Sequence, residues 1–212
     1  MTNFIPIFPL SIVVFPGEEL NLHIFEPKYK QLISDCFTEN KSFGIPSIVK
    51  DNLMEFGTLV KVAEIKEVYD DGKMDIRTKA ESVFRILEVV KEVPGKLYSG
   101  AIVNYPYNNI SYKPETVRYI LSGLRELHRL LNITKKFTKA DEEMASYDMA
   151  HHAGLSLEEE FEFLQLMRED QRLEYLKRHL NKVLPIIQEM ETLKEKVKLN
   201  GHFRELKGFQ FE

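Results

Sequence analysis

The first half of the chain alternates short apolar runs with turn residues. The runs are rich in Val, Ile, Phe and Thr and have the length of strands: residues 56–68, 73–78, 83–90 and 97–105. Asp71-Gly72 separates the first two and is typical of a β-hairpin, because glycine accepts the positive φ of a primed turn. Pro94-Gly95 separates the last two. Several short strands at this spacing predict a closed or half-closed β-barrel rather than a parallel sheet.

One helix is expected early, after Glu26. Pro27 suits the first helical position, and the Glu26 carboxylate lies near the positive end of the helix dipole. Apolar residues then follow at helical spacing and predict one buried stripe: Tyr29, Leu32, Ile33, Cys36 and Phe37. Because Cys36 lies in this stripe, we interpret it as a small buried hydrophobe rather than a nucleophile. As the only cysteine, it cannot form an internal disulfide.

After residue 112 the apolar period becomes helical. Pro114 begins a predicted helix whose apolar side comprises Val117, Ile120, Leu121, Leu124 and Leu131. Residues 138–141 and 156–159 have the pattern of capping boxes, so helices are expected to begin near 138 and 156. Gly154 separates these two helices.

A long helix is predicted from about Asp170. Its apolar residues alternate three and four apart: Leu173, Leu176, Leu180, Val183, Ile187 and Met190. Pro185 should kink it, and the short seam favours packing within a bundle over a true coiled coil. Asn200-Gly201 predicts the end of this helix, because glycine suits the left-handed position at a C-terminal cap. A tail rich in phenylalanine follows.

Composition and charge narrow the functional classes. The chain has 43% hydrophobic and 29% charged residues and a net charge of −4. The hydrophobic fraction is enough for a core and argues against wholesale disorder. Residues 1–112 carry 12 Lys and Arg against 15 Asp and Glu. This balance argues against strong nucleic-acid binding. No apolar run reaches the length of a membrane span, and the N-terminal residues lack a signal-peptide pattern, so we expect a cytoplasmic protein.

The motifs of common catalytic sites are missing. A P-loop needs a glycine five residues before its Gly-Lys pair, but Val90 stands there before Gly95-Lys96. There is no Gly-x-Ser-x-Gly elbow and no His-Glu-x-x-His helix. His151 and His152 are adjacent and would diverge by about 100° on a helix, which disfavours a shared metal. We therefore expect no enzyme activity, no metal and no cofactor.

The chain resembles the Lon protease N-terminal, or substrate-binding, domain family over about residues 4–105. The resemblance is carried by the order and spacing of residues 8–10, 14–17, 20, 22, 24–29, 35–36, 43–45, 57–58, 65, 71–72 and 84–86. The helical half is similar more loosely, in Leu164-Gln165-Leu166 and Gln171-Arg172-Leu173. Full Lon proteases also carry an ATPase module and a serine-lysine protease domain, which this sequence does not contain.

The resemblance implies an α+β fold, with a PUA-like pseudo β-barrel followed by a helical bundle that ends in a long kinked helix. The expected domains are residues 1–110 (barrel), 111–199 (bundle) and 200–212 (tail). Family-motif residues are expected to be mainly structural: Phe15, Pro16, Gly17, Phe25, Glu26, Pro27, Tyr29, Gly57, Phe84 and Arg85.

The resemblance also implies a non-catalytic module that binds unfolded or partner polypeptides, in protein quality control. Aromatic side chains in the connector after the strands and in the tail are the candidate contacts: Tyr105, Tyr107, Tyr112, Phe203, Phe209 and Phe211. The tyrosines could instead only join the two halves. The C-terminal helix or tail is also a candidate for self-association. Two alternatives stay open: a nucleic-acid-binding PUA-like protein and a small-molecule enzyme with an unrecognised site.

Overall fold

The computed structural model describes residues 2–109, 114–134, 136–137 and 139–206, with residues 114 and 198–206 described by their backbone alone. These residues include six strands: β1 (Thr2–Pro6), β2 (Glu19–Ile24), β3 (Phe43–Val49), β4 (Asn52–Val68), β5 (Met74–Val90) and β6 (Gly100–Asn104). They form an antiparallel sheet in the order β1-β6-β5-β4-β3, and β2 pairs with β5.

The sheet closes on itself through the residues that follow β1. Ile7 and Leu10 form parallel bridges to Gly44 and Ser47 of β3. The Phe8 N–H donates to the Gly44 carbonyl at 2.8 Å. These bridges join the two outer strands of the sheet, so the predicted half-closed barrel and the mixed α+β fold are confirmed.

The long hairpin of β4 and β5 differs from the prediction in two ways. The predicted strands 73–78 and 83–90 are one continuous strand, because residues 79–82 contain neither glycine nor proline and pair with β4 across a bulge. The connecting loop has five residues, Tyr69–Lys73, rather than a two-residue primed turn. Gly72 does take a positive φ of 76°, and the Asp71 carboxylate accepts from the Lys73 N–H.

The early helix α1 (Pro27–Thr38) begins with Pro27 at its first turn, as predicted. Leu32, Ile33 and Cys36 are buried and form part of the main barrel core, which confirms the interpretation of Cys36. Phe37 is the exception in the stripe, since its side chain is 49% exposed. The stripe was predicted one residue too wide, because Phe37 lies at the edge of the buried face.

A second core cluster forms around Phe84, which has no exposed surface. Two glycines make room for its ring: a Cβ at Gly44 would lie 2.8 Å from it, and a Cβ at Gly57 would lie 2.7 Å from it. Any side chain at Gly57 would also meet the Ile45 carbonyl oxygen at 2.4 Å. Glycine is therefore required at these positions by close packing rather than by backbone freedom.

The C-terminal part is helical. It comprises α2 (Pro114–Leu130), a 3₁₀ turn (Asp141–Glu143), α3 (Ser146–Ala150), α4 (Leu157–Leu164) and α5 (Glu169–Leu206). The capping box before α4 is confirmed, because Ser156 Oγ accepts from the Glu159 N–H and the Glu159 carboxylate accepts from the Ser156 N–H. Thr138, where a helix was predicted to begin, lies outside the described residues. The first element after it is the 3₁₀ turn (Asp141–Glu143). Leu131 was wrongly placed on the buried stripe; it is exposed beyond the end of α2, which stops because Asn132 has a φ of +54°.

The long helix α5 begins within one residue of its predicted start, and Pro185 lies inside it. Leu173, Leu176 and Leu180 are buried, whereas Met190 is exposed. The predicted stop at Asn200-Gly201 is wrong, because the helix continues to Leu206. A glycine inside a helix costs only about 1 kcal/mol relative to alanine, so a single glycine does not by itself end a long helix.

The chain forms two compact units. The first comprises Met1–Tyr112 and Gly154–Arg172, and the second comprises Lys113–Ala153 and Leu173–Glu212. Residues 154–172 thus group with the barrel, whereas the sequence-based division assigned them to the bundle; that division stays a prediction. Over the described part of the chain, no helix is both long and apolar enough to cross a bilayer.

A buried arginine fixes residues 154–172 within the first unit. The Arg172 guanidinium has no exposed surface and donates to the Glu169 carboxylate at 2.7 Å. It also donates to Asn108 Oδ1 at 2.9 Å and to the carbonyls of Leu166 and Asn109 at 2.6 and 3.2 Å. The bonds to Asn108, Leu166 and Asn109 tie the start of α5 to the residues after β6 and α4, so this network holds those segments together.

Candidate polypeptide-binding surface

The two described tyrosines of the connector have different surroundings. Tyr105, directly after β6, is partly buried against the core cluster around Phe84. Tyr107 is 86% exposed, so its ring is accessible. Tyr112 lies outside the described residues. Tyr105 therefore has a packing role in the first unit, and Tyr107 is the connector residue whose exposure suits recognition.

The predicted tail contacts are placed only in part. Phe203 lies within the backbone of α5 rather than in an extended tail. Phe209 and Phe211 lie outside the described residues. The role of these three phenylalanines stays a prediction.

Most family-motif residues lie in the scaffold. Phe15 is fully buried and packs edge-on against Phe163, with ring centroids 5.6 Å apart. Gly17, after Pro16, has a φ of +92°, which favours glycine, and the Glu18 carboxylate accepts from the Phe15 N–H at this corner. Tyr29 stacks on Phe8 at a centroid distance of 3.9 Å. At the start of α1, Glu26 is the N-cap residue before Pro27, although its side chain makes no capping bond.

Arg85 and Phe25 are motif residues with large, exposed side chains. Arg85 forms an exposed ion pair with Glu55 at 2.9 Å. Phe25 is 59% exposed and stacks against the His23 ring, with centroids 6.3 Å apart. The His23 ring also packs edge-on against the Tyr69 ring, with centroids 6.0 Å apart. An exposed phenylalanine held among ordered rings is not explained by core packing.

His23, Phe25, Tyr69 and Asp75 form what we call the hairpin-tip cluster. Strand register brings them together, because His23 lies directly opposite Asp75 in the β2–β5 pair. Tyr69 begins the loop between β4 and β5, and Lys30 of α1 donates to the Asp71 carbonyl of that loop at 2.9 Å. Strand pairing and this contact thus hold the rings at the end of the barrel.

The Asp75 carboxylate organises the cluster. Tyr69 O–H donates to one of its oxygens at 2.7 Å, and His23 Nδ1 lies 2.7 Å from the other. These hydrogen bonds, first from Tyr69 and then from His23, hold the pKa of Asp75 below its usual value. The same bond from Tyr69 to the carboxylate raises the pKa of Tyr69 to about 12. Asp75 therefore stays ionised at neutral pH and fixes the orientation of both rings.

The cluster borders a surface cavity of about 490 Å³, lined by His23, Tyr69, Asp70, Asp71 and Lys73. This volume is in the range of small-ligand sites, and it accommodates one or two side chains. Its chemistry combines exposed rings with fixed polar tips, which suits contact with an extended polypeptide. The cavity lining contains no serine, threonine or cysteine hydroxyl or thiol to act as a nucleophile.

The cysteine of the chain lies elsewhere and is poorly suited to nucleophilic chemistry. Burial, followed by the nearby charge of Asp35, raises the pKa of the Cys36 thiol to about 12. The thiol is therefore protonated at neutral pH. Since the thiolate is the nucleophilic form, Cys36 is unreactive. Among the described residues, no group of three or more His, Cys, Asp and Glu side chains is arranged to hold a metal.

The sequence analysis did not identify the hairpin-tip cluster. Its members are separated by up to 52 residues and meet only through the β2–β5 register. One signal was present: the alternation in residues 20–24 places His23 opposite to the buried Ile24 and therefore at the surface. Phe25 was assigned to the family motif and expected to be structural, and its exposure is the observation that singles it out.

Comparisons with known proteins agree with this fold. A family model described as the ATP-dependent protease La (LON) substrate-binding domain matches residues 5–182. A Lon N-terminal domain protein from Xanthomonas campestris has a similar crystal structure, with a TM-score of 0.62, 25% identity, and coverage of 83% of this chain and 98% of that one. The N-terminal domain of Mycobacterium avium complex Lon protease has a TM-score of 0.60 at 13% identity, with coverage of 84% and 98%.

The second likeness concerns the fold alone, because its identity is low. The family model spans most of the chain, from the first strand into α5. It therefore covers both the barrel and the helices that follow, including the hairpin-tip cluster. The chain belongs to the Lon substrate-binding domain family.

Proposed function

We propose that this protein is a non-catalytic polypeptide-binding module and that it contacts its clients through the hairpin-tip cluster. The observation that carries the proposal is the 59% exposure of Phe25 within an ordered group of rings. Large exposed aromatic side chains contribute strongly to protein recognition because they bury much area and have few rotatable bonds. The substrate-binding description of the family supports the same conclusion.

The proposal is tested by the binding of a labelled, unfolded casein to the whole chain. Phe25→Ala should weaken binding about tenfold, which corresponds to about 1.4 kcal/mol. Leu97→Ala is the matched control, because Leu97 is 65% exposed in the same unit but lies outside the cluster. Equal loss in both variants would contradict a specific role for Phe25, and absence of casein binding in the wild type would reject the function.

Tyr107 is proposed as a second contact because it is the most exposed aromatic residue described. Tyr107→Ala should weaken casein binding while leaving the melting temperature unchanged. Tyr105→Ala should lower the melting temperature, since Tyr105 packs on the barrel core. A melting change in Tyr107→Ala with intact binding would assign Tyr107 to packing instead.

The biological setting that we propose is protein quality control in the cytoplasm, together with a separate ATPase or protease. The protein itself should neither cleave casein nor release phosphate from ATP above a heat-treated control. Active-site-titratable turnover would show instead that the chain carries an enzyme. RNA binding with a steep salt dependence would favour the nucleic-acid alternative, because phosphate contacts release counterions.

Self-association through α5 is a further part of the proposal. Ile186, Met190, Leu193 and Val197 are each more than half exposed and lie 4, 3 and 4 residues apart, which is the spacing of a helix–helix seam. The charges beside the seam are unevenly distributed: Glu189 and Glu191 precede a lysine-rich stretch, Lys194, Lys196 and Lys198, that contains one glutamate, Glu195. An antiparallel second copy would place the acidic end of one helix against the basic end of the other.

Sedimentation across a concentration series tests this pairing. Wild type should shift from monomer towards dimer as concentration rises, and Leu193→Glu should remain monomeric. Leu97→Glu introduces the same change on the barrel and should leave the dimer intact. A wild-type protein that stays monomeric at its highest soluble concentration would contradict the pairing.

A further inference from the structure

A second cavity, of about 380 Å³, lies between the C-terminal end of α1 and the middle of β4 and β5. We call it the lysine pocket. Lysines and apolar residues dominate its lining, which includes Phe37, Lys41, Lys61, Val62, Lys79 and Glu81. It lies wholly within the first unit and shares no lining residue with the cavity at the hairpin tip.

The end of α1 positions one side of the pocket. Asn40 has a φ of +54°, and the Lys41 N–H donates to the Cys36 carbonyl at 2.8 Å. The Asn40 N–H donates to the Phe37 carbonyl at 3.3 Å. This pattern is a Schellman motif, which ends the helix in one defined geometry. The backbone at Phe37, Asn40 and Lys41 is therefore fixed at the rim.

The strands place two like charges face to face on the other side. Lys61 of β4 and Lys79 of β5 are directly opposite each other in the antiparallel register. Residues in such pairs have Cβ atoms about 4.5–5.5 Å apart, and like charges there are destabilising. Within the part of the chain that the structure describes, neither lysine forms an ion pair.

The carboxylates near Lys61 and Lys79 have other partners. Glu81 accepts a hydrogen bond from Ser42 at 2.8 Å, and Glu39 pairs with Lys41. Glu19 lies opposite Lys79 on the β2 side, but its carboxylate lies 3.8 Å from Arg77. Because Lys41 is paired with Glu39, Lys61 and Lys79 are the lining lysines that have no ion-pair partner among the described residues.

Directly opposed like charges destabilise a strand pair, and an anion bound between Lys61 and Lys79 would offset this effect. The apolar part of the lining determines the kind of anion, because the half-exposed ring of Phe37 favours a carboxylate that is attached to an apolar group. A free inorganic anion would leave that apolar surface uncovered. The volume suits one or two side chains.

We propose that the lysine pocket binds an acidic side chain, next to an apolar one, in a bound polypeptide. This inference rests on the proposed polypeptide-binding function and names the clients as acidic and apolar segments. Lys61 and Lys79 supply the positive charge, and Phe37 contacts the neighbouring apolar side chain. Retaining opposed lysines at a cost in stability is consistent with a binding role.

Two labelled peptides test the inference: one of alternating Leu and Glu residues and its counterpart with Gln for every Glu. The wild type should bind the Glu peptide about tenfold more tightly, and the preference should decline with salt. The double variant Lys61→Gln/Lys79→Gln should lose the preference and melt no lower than the wild type. The control Lys91→Gln/Lys182→Gln removes the same charge from two exposed lysines elsewhere and should keep the preference.

The outcomes separate this inference from the proposed function. If wild type binds both peptides equally, the acidic specificity is overturned and the polypeptide-binding function stands. If neither peptide nor casein binds, the function itself fails. If inorganic phosphate binds in a manner that depends on Lys61 and Lys79 while neither peptide does, the pocket takes a free anion and the assignment to a polypeptide is overturned.

Discussion

Phe84 and Phe25 belong to the same family motif set and have opposite environments. Phe84 is fully buried in the barrel, with Gly44 and Gly57 shaped around its ring. Phe25 is mostly exposed, and its ring stacks against His23 in a surface cluster. The difference shows that membership of a motif does not identify a residue's role. Burial separates the residues that hold the fold from those free to contact a partner.

The same contrast applies to charged and polar groups. Arg172 and Glu169 are buried, and the arginine has several hydrogen-bond partners, so the pair fixes one packing arrangement. Asp75 instead organises exposed rings at the hairpin tip. Variants of the buried group should change stability, whereas variants of the exposed group should change binding or titration.

The largest effect is expected for Phe84→Ala. Removing a buried phenylalanine leaves a cavity, and such changes cost about 3–5 kcal/mol of unfolding free energy. Phe84→Leu should cost less, because it fills more of the space beside Gly57. Chemical denaturation followed by circular dichroism measures both. A loss below about 1 kcal/mol for Phe84→Ala would show that the barrel collapses around the missing ring.

The next largest effect is expected for Arg172→Ala, with a loss of about 3 kcal/mol. The cost arises because the Glu169 carboxylate stays buried after it loses the Arg172 guanidinium. The double variant Glu169→Gln/Arg172→Met should therefore be more stable than Arg172→Ala. The same denaturation measurement compares them, and a double variant less stable than the single one would be evidence against a stranded charge as the cause.

The fold followed from sequence wherever local chemistry decided it. Pro27 begins α1, Ser156 and Glu159 cap α4, and the alternating runs form the barrel. The errors arose where neighbours or length decided the outcome. Lys79 to Ser82 continue a strand because β4 pairs alongside, and Gly201 stays helical because one glycine costs a helix only about 1 kcal/mol.

The candidate site was less predictable for a physical reason. Tyr107 could be proposed from its type and position, but exposure is a property of the folded chain. His23, Tyr69 and Asp75 meet only when β2 takes its register on β5. Likewise, no local pattern places Lys61 opposite Lys79, because a bulge between Leu59 and Val60 sets that pairing. Register and bulges are cooperative features of the sheet that a single strand does not encode.

A much smaller effect on stability is expected for Phe25→Ala, within about 0.5 kcal/mol, because surface substitutions remove few contacts. This is the direct counterpart of Phe84→Ala: the same chemical change in the same motif set, with burial as the variable. The unfolding free energies of the two variants, obtained from chemical denaturation, should differ by several kcal/mol. Similar losses in both would mean that Phe25 supports the fold and that its exposure is misleading.

The smallest effect is expected for Asp75→Asn, which should leave the unfolding free energy nearly unchanged and alter a titration. In the wild type, the hydrogen bond from Tyr69 to the Asp75 carboxylate raises the pKa of Tyr69 to about 12. The neutral amide accepts this bond less strongly and adds no negative charge, so the pKa of Tyr69 should fall towards the ordinary tyrosine value of about 10.

Ultraviolet absorbance during an alkaline titration measures the change, with Tyr69→Phe identifying the signal. The sign is fixed by the direction of the shift: Tyr69 should ionise at lower pH in the variant than in the wild type. Ionisation at the same pH in both proteins would show that Asp75 does not bind Tyr69 in solution. Asp75 would then not fix the orientation of the rings in the hairpin-tip cluster.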